Sequence, residues 1–211
     1  DWSAGKPVTI RTVDAGGDKP VEGFTESETN PFLGVRGIRL ALKNPEIFRV
    51  QIRALLRAAV HGELKVMLPM VSVPQELDEA ILLFETEAAS LAGAGIAHLM
   101  PKIGIMVEVP SVAILPDRFR RAAFLSIGSN DLTQYVLAAA RDNGQLAYLA
   151  KADDPAVLAL IGTVADYGAR QDVDVSLCGD AGSDTSVIEK LLATGLTSLS
   201  VAASRIGLVK S

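Results

Sequence analysis

The chain has 211 residues, 49% of them hydrophobic and 21% charged, with a formal net charge of -5. That length buries one sizeable core, and the acidic balance supplies no overall basic field for gathering nucleic acid. The single cysteine excludes an intramolecular disulfide and fits a reducing compartment. No run approaches the roughly 20 apolar residues of a membrane span, and the first residues lack the basic-then-apolar order of a secretory signal. The sequence therefore reads as soluble and cytoplasmic, without membrane insertion. It starts at Asp1 and enters a strand-like run within ten residues, as a trimmed fragment would.

The first apolar run is Val8–Arg11, followed by a glycine-rich, polar stretch without period from Asp14 to Gly34. Asn44-Pro45-Glu46 supplies a cap, a first-turn proline and an early acid, predicting a helix of about four turns whose buried face is Ile47, Phe48, Ile52, Leu55, Leu56 and Ala59. A second strand is predicted over Lys65–Met70. Ser72-Val-Pro-Gln75 resembles a capping box before a helix with Leu77, Ile81 and Phe84 on its buried stripe. Strands follow over Ile103–Glu108 and Phe124–Ile127. Asp154-Pro155 starts a helix through Val157, Ile161 and Val164, and Val173–Cys178 is the next strand. Asp184 starts a helix through Ile188, Leu191 and Leu192 that Gly195 can end, before a last strand over Ser198–Val201. Continuous apolar strands alternating with amphipathic helices predict βα units around a parallel sheet, either doubly wound or closed as a (β/α)8 barrel. No linker or repeat interrupts them, so one domain over 1–211 is expected.

Nearly every predicted strand ends in chemistry, as barrel strands do at their C-terminal mouth. Arg11 leads into Asp14-Ala-Gly-Gly-Asp-Lys19, Glu108 ends the third strand, Asn130-Asp131 the fourth, and Cys178-Gly-Asp180 the fifth. Glu108 and Asp131 form an all-oxygen pair suited to a hard cation such as Mg2+. The plainer alternative is that each caps the following helix or pairs with an arginine. Arg11, Arg36 and Arg141 sit beside turn residues and could clamp phosphate or carboxylate; solvated or ion-paired arginines are the plain alternative. GGDK lacks the spacing of a P-loop. Cys178 reads as a small buried hydrophobe or a thiol with room above it, and His61 and His98 as surface or packing residues.

Four segments, RTVDAGGDKP, NPFLGVRGIRLAL, GIMVEVPS with SIGSNDLTQYVLAAARDN, and SLCGDAGSD, resemble in order the active-site segments of the phosphoenolpyruvate-binding domain of Enzyme I, the family of bacterial phosphoenolpyruvate-protein phosphotransferases. The resemblance runs from about Val8 to the C-terminus, and EVPS with GSNDLTQY is nearest to the nitrogen-related paralogue. It implies a (β/α)8 TIM barrel of the phosphoenolpyruvate/pyruvate type, with Glu108 and Asp131 as Mg2+ ligands. Arg11, Arg36, Arg141, Asn130 and Lys19 would bind phosphoenolpyruvate, and Cys178 would protonate C3 of the enolate. It also implies a homodimer and delivery of the phosphoryl group to a phosphocarrier protein, in sugar transport or its nitrogen counterpart.

The family's acceptor histidine lies on an upstream domain without counterpart in this sequence, and its first barrel strand is also expected to be missing. Asp180 stands where the family's CGE has glutamate, and Ala140 precedes Arg141 where aspartate is usual. Weak phosphoenolpyruvate binding and no self-contained histidine phosphorylation are therefore expected of this polypeptide. Two other readings use the same residues: a carbon-carbon lyase of the pyruvate-enolate type, and a non-catalytic, phosphoenolpyruvate-sensing dimerisation module. Three phosphate-suited arginines and the strand-end cysteine favour phosphotransfer over the lyase.

Overall fold

Five apolar runs form strands among the described residues: β1 (Val8–Arg11), β2 (Leu64–Leu68), β3 (Lys102–Val107), β4 (Phe124–Gly128) and β5 (Asp174–Cys178). The computed structural model describes residues 5–17 and 19–210; Asp18 of the GGDK run lies outside them. The helices are α1 (Ile38–Lys43), α2 (Pro45–Ala58), α3 (Pro74–Gly93), α4 (Pro110–Ile114), α5 (Ser129–Val136), α6 (Pro155–Gln171), α7 (Thr185–Ala193) and α8 (Ile206–Lys210). The backbone divides into two compact units, Asp1–Ile105 and Met106–Ser211.

In the first unit β1, β2 and β3 pair in parallel, with Val8 opposite Leu64 and Leu68 opposite Ile105. Parallel neighbours need a crossover, and α3 supplies it between β2 and β3. The α2 stripe of Phe48, Ile52, Leu55 and Leu56 is buried, as read, whereas Ile47 is 52% exposed and lies off the face assigned to it. Phe48 meets Phe84 of α3 edge-on, with ring centroids 6.3 Å apart. Glu87 of α3, also buried, accepts hydrogen bonds from Arg49 at 2.8 Å and Arg53 at 3.1 Å.

Two predicted caps close differently. Asn44 makes no side-chain cap for α2; its amide donates to the Leu40 carbonyl at 3.0 Å and so finishes α1. At α3 the capping acid is Glu76, whose carboxylate accepts from the backbone N–H groups of Ser72 and Val73 at 2.6 and 3.2 Å. Valine has no acceptor to complete a reciprocal box, so that motif is half made.

In the second unit β4 and β5 pair in parallel from Phe124 opposite Asp174 to Gly128 opposite Cys178. Asp154 caps α6 by accepting from Ala156 N at 2.9 Å, and Asp184 caps α7 by accepting from Ser186 N at 3.0 Å, both as predicted. Val157, Ile161 and Val164 are fully buried; on α7 the buried residues are Val187 and Leu191, while Leu192 is 49% exposed. The strand predicted over Ser198–Val201 does not form. Leu199 makes an isolated parallel bridge to Leu177, with Leu177 N donating to Ser198 O and Ser200 N to Leu177 O. Two hydrogen bonds to one residue, between exposed serines, are too few to extend a ladder. The architecture is parallel α/β.

Candidate active site

The sequence-predicted residues gather into two groups, one in each unit. In the second unit, Glu108 directly follows β3 and is 1% exposed. Gly128, the last residue of β4, makes space for it: a Cβ there would stand 3.1 Å from Glu108 Oε2. Asn130 and Asp131 lie in the first turn of α5, with Asp131 buried. Asp131 does not cap its helix, since the N-cap position is Gly128; its Oδ2 lies 3.6 Å from Arg141 Nη1. Pairing with an arginine, the plain alternative for this acid, is thus present alongside burial at a strand end.

Arg141 is reached by a tight reversal. Ala138 adopts a left-handed φ of 51°, and Ala139 N donates to the Gln134 carbonyl at 3.1 Å. The Gln134 side-chain oxygen then accepts from Arg141 N at 2.9 Å. Ordinarily glycine takes such a position, because the Cβ of an L-residue crowds the following carbonyl oxygen there.

Cys178 ends β5 with a half-buried thiol that forms no disulfide. Its carbonyl accepts from Ser129 Oγ at 3.0 Å, tying the end of β5 to the start of α5. The next residue, Gly179, has φ 104°, and a Cβ there would collide with Ser129 Oγ and lie 3.1 Å from Asn130 Oδ1. Only glycine fits this crossing. Beyond it Asp180 bonds Asn130 twice, accepting from Nδ2 at 3.0 Å and donating from its backbone N to Oδ1 at 3.2 Å. Asn130, Gln134, Arg141, Lys151 and Asp180 line a cleft of about 590 Å3.

Glu108 and Asp131 offer only carboxylate oxygens, and no group of three or more histidine, cysteine or acidic side chains gathers at one point among the described residues. Such a sparse, hard donor set fits a cation that keeps water and substrate oxygens as its remaining ligands, as Mg2+ does, and is unsuited to a closed zinc site.

The first unit assembles the other group around an acid that sequence reasoning left without a role. The buried Asp14 carboxylate lies 2.9 Å from Lys19 Nζ, 3.2 Å from Arg36 Nη2 and 3.3 Å from Arg11 Nη1. Burial pushes the Asp14 carboxyl up, but the Lys19 hydrogen bond and the charges of Arg36, Lys19 and Arg11 outweigh it and hold the group below the usual aspartate value. Arg36 is wholly buried, unlike a solvated surface arginine. The loop admits it because Gly16 and Gly17 have positive φ, and a Cβ on Gly16 would sit 2.6 Å from Val35 O. The available signal for Asp14 was its position three residues past a strand-end arginine and five before a lysine.

Buried carboxylates at strand ends, an arginine paired with one of them and a thiol at the end of the next strand thus stand in one unit of a parallel α/β scaffold. Residues 2–211 match the family model described as PEP-utilising enzyme, PEP-binding domain, and the chain belongs to that family. It is 45% identical over 206 residues to a phosphoenolpyruvate-protein phosphotransferase of Bacillus sp. (strain S), and 44% identical over 206 residues to that of Bacillus subtilis (strain 168). Each alignment covers 96% of this chain and 36% of the relative, so the chain spans about a third of the length of these relatives. Among solved structures, an HpcH/HpaI aldolase from Desulfitobacterium hafniense DCB-2 superposes with a TM-score of 0.47 at 16% identity, covering 77% of this chain and 66% of that one.

Proposed function

We propose that this chain is the phosphoenolpyruvate-binding part of an Enzyme I-type phosphotransferase. That enzyme moves the phosphoryl group of phosphoenolpyruvate to a histidine of the larger protein and releases pyruvate. The observation that carries the reading is the convergence of Glu108, Asn130, Asp131, Arg141 and Cys178 on the ends of β3, β4 and β5 within one unit. Its five strands would belong to an eight-stranded barrel in the parent protein. On this reading the parent is cytoplasmic and homodimeric, passing the phosphoryl group to a phosphocarrier protein; the GSNDLTQY and EVPS segments favour the nitrogen-related branch.

The residues have separable tasks. Glu108 and Asp131 would hold Mg2+, which when bound supplies positive charge for the carboxylate and phosphoryl oxygens. Arg141 and Asn130 orient the ligand from α5 and the reversal after it, and Arg11, Arg36 and Lys19 carry positive charge for phosphoryl oxygens. As the bond between phosphorus and the enol oxygen breaks, its electron pair stays with oxygen and gives the enolate of pyruvate. Cys178 delivers a proton to C3 of that enolate, leaving pyruvate and a thiolate to be reprotonated from solvent.

Isothermal titration of phosphoenolpyruvate into the chain with Mg2+ tests the reading, with Glu108→Ala and EDTA as parallel arms. The expected result is binding that requires both the metal and Glu108. No heat from a chain that circular dichroism shows to be folded would overturn it.

A further inference from the structure

The run Ser129-Asn-Asp-Leu-Thr-Gln134 contains a hydroxyl and a second amide that the roles above leave unused. Both belong to buried residues, with Thr133 5% and Gln134 6% exposed, and both line the 590 Å3 cleft beside Asn130 and Arg141. Gln134 is half satisfied: its Oε1 accepts from Arg141 N at 2.9 Å, while its Nε2 has no hydrogen-bond partner among the described residues. Thr133 Oγ1 is likewise without one. Buried polar atoms almost always have partners, so an unpartnered donor on a residue that lines a cleft points to a ligand acceptor.

Geometry separates the two ends of this amide. The oxygen end fixes the Arg141 backbone after the left-handed turn at Ala138, and so limits where the guanidinium can reach. A glutamine cannot donate from both ends; with Oε1 committed to Arg141 N, both N–H groups of Nε2 are left for a further partner. The donor is neutral, so it adds a directional hydrogen bond for an oxyanion without competing with Asp131 for the Arg141 charge.

We propose that Gln134 is a positioning and ligand-contacting residue, holding Arg141 through Oε1 and donating through Nε2 to an oxygen of a phosphoryl-bearing ligand in the cleft. The inference rests on the phosphoryl-ligand reading above, but not on phosphoenolpyruvate in particular.

The test follows the Arg141 backbone amide and the Gln134 side-chain amide by nuclear magnetic resonance, the latter assigned by its loss in Gln134→Met. Inorganic phosphate and phosphoenolpyruvate with Mg2+ are titrated separately. In the ligand-free chain, Gln134→Met is expected to speed hydrogen exchange at Arg141 N about tenfold, and Gln134→Glu, which keeps an acceptor, to restore protection. Either ligand should shift the Gln134 side-chain resonance, and Gln134→Met should weaken the ligand that binds by about tenfold. Unchanged exchange at Arg141 in Gln134→Met would overturn the positioning role. A Gln134 resonance that neither ligand moves, or binding lost in Arg141→Ala but unaltered in Gln134→Met, would overturn the contact. A shift with phosphate but none with phosphoenolpyruvate would support this inference while sinking the phosphoenolpyruvate reading.

Discussion

Asn130 and Asp180 grip each other at both ends: the amide donates to the Asp180 carboxylate at 3.0 Å, and the Asp180 backbone N–H donates to the amide oxygen at 3.2 Å. The aspartate stands where the resembled family carries glutamate, and its shorter side chain reaches Asn130 directly. Asp180→Ala should therefore remove the carboxylate end of this grip and leave the Asn130 amide held by the backbone N–H alone. The expected outcome is a roughly 3- to 10-fold loss of phosphoenolpyruvate affinity, measured by calorimetry, with little change in the unfolding midpoint because Asp180 is exposed. Unaltered affinity would show that Asn130 is held by other means.

The crossing of β5 onto α5 depends on one glycine. Gly179→Ala forces an L-residue to φ 104° and drives its Cβ into Ser129 Oγ. A loss of about 1–3 kcal/mol in urea denaturation is expected. Ser129→Ala combined with Gly179→Ala should recover the part that comes from the collision and leave the part that comes from the backbone, which a double-mutant comparison separates.

Acid should act on the first unit through Asp14. Its folded pKa lies below the ordinary aspartate value, so its contribution to stability is complete above that value, near 4, and is lost as the pH falls through the lowered one. Asp14→Asn should lower stability at neutral pH, where three cations lose their counter-charge, and should flatten the fall in stability below about pH 4. Denaturant titrations at pH 7 and pH 3 check both halves; a difference between variant and parent that is equal at the two values would contradict the assignment.

Glu87 is a further buried acid whose partners are arginines. Its carboxylate joins α2 to α3 through Arg49 and Arg53, whose side chains are each 38% exposed. That exposure discounts the pair energies. Glu87→Gln should cost about 1–2 kcal/mol and leave ligand affinity unchanged, since none of the three side chains lines the cleft. A change in affinity would show that these helices report to the site.

Much of this arrangement was legible because strand ends and helix starts are local events. Asp154 and Asp184 cap the helices read from their positions, and the polar residues that close β3, β4 and β5 lie where the apolar runs stop. The faces were read too broadly: Ile47 and Leu192 keep helical spacing with their neighbours yet lie on the edge of the stripe, where a few tens of degrees decide exposure. Ser198–Val201 has strand-like residues, but strand formation depends on a partner offering a ladder, and Leu177 offers a single step. Asp14 escaped notice because one of its partners, Arg36, is 22 residues away and meets it only through the fold. Gln134 was given no role in the sequence reading, because which of its ends is committed depends on the reversal that returns Arg141 to it.

If the first unit takes up an anion, as proposed above, the cluster around Asp14 bears on the valence of that ion. One resident carboxylate neutralises a third of the positive charge carried by Arg11, Lys19 and Arg36, leaving the four side chains at plus two. A singly charged visitor meets cations already turned toward an anion of equal charge. A doubly charged one brings more negative charge than the resident supplies and draws on the whole excess. Discrimination of this kind is made by valence before shape, and it would favour a phosphate ester over a simple carboxylate of the same size.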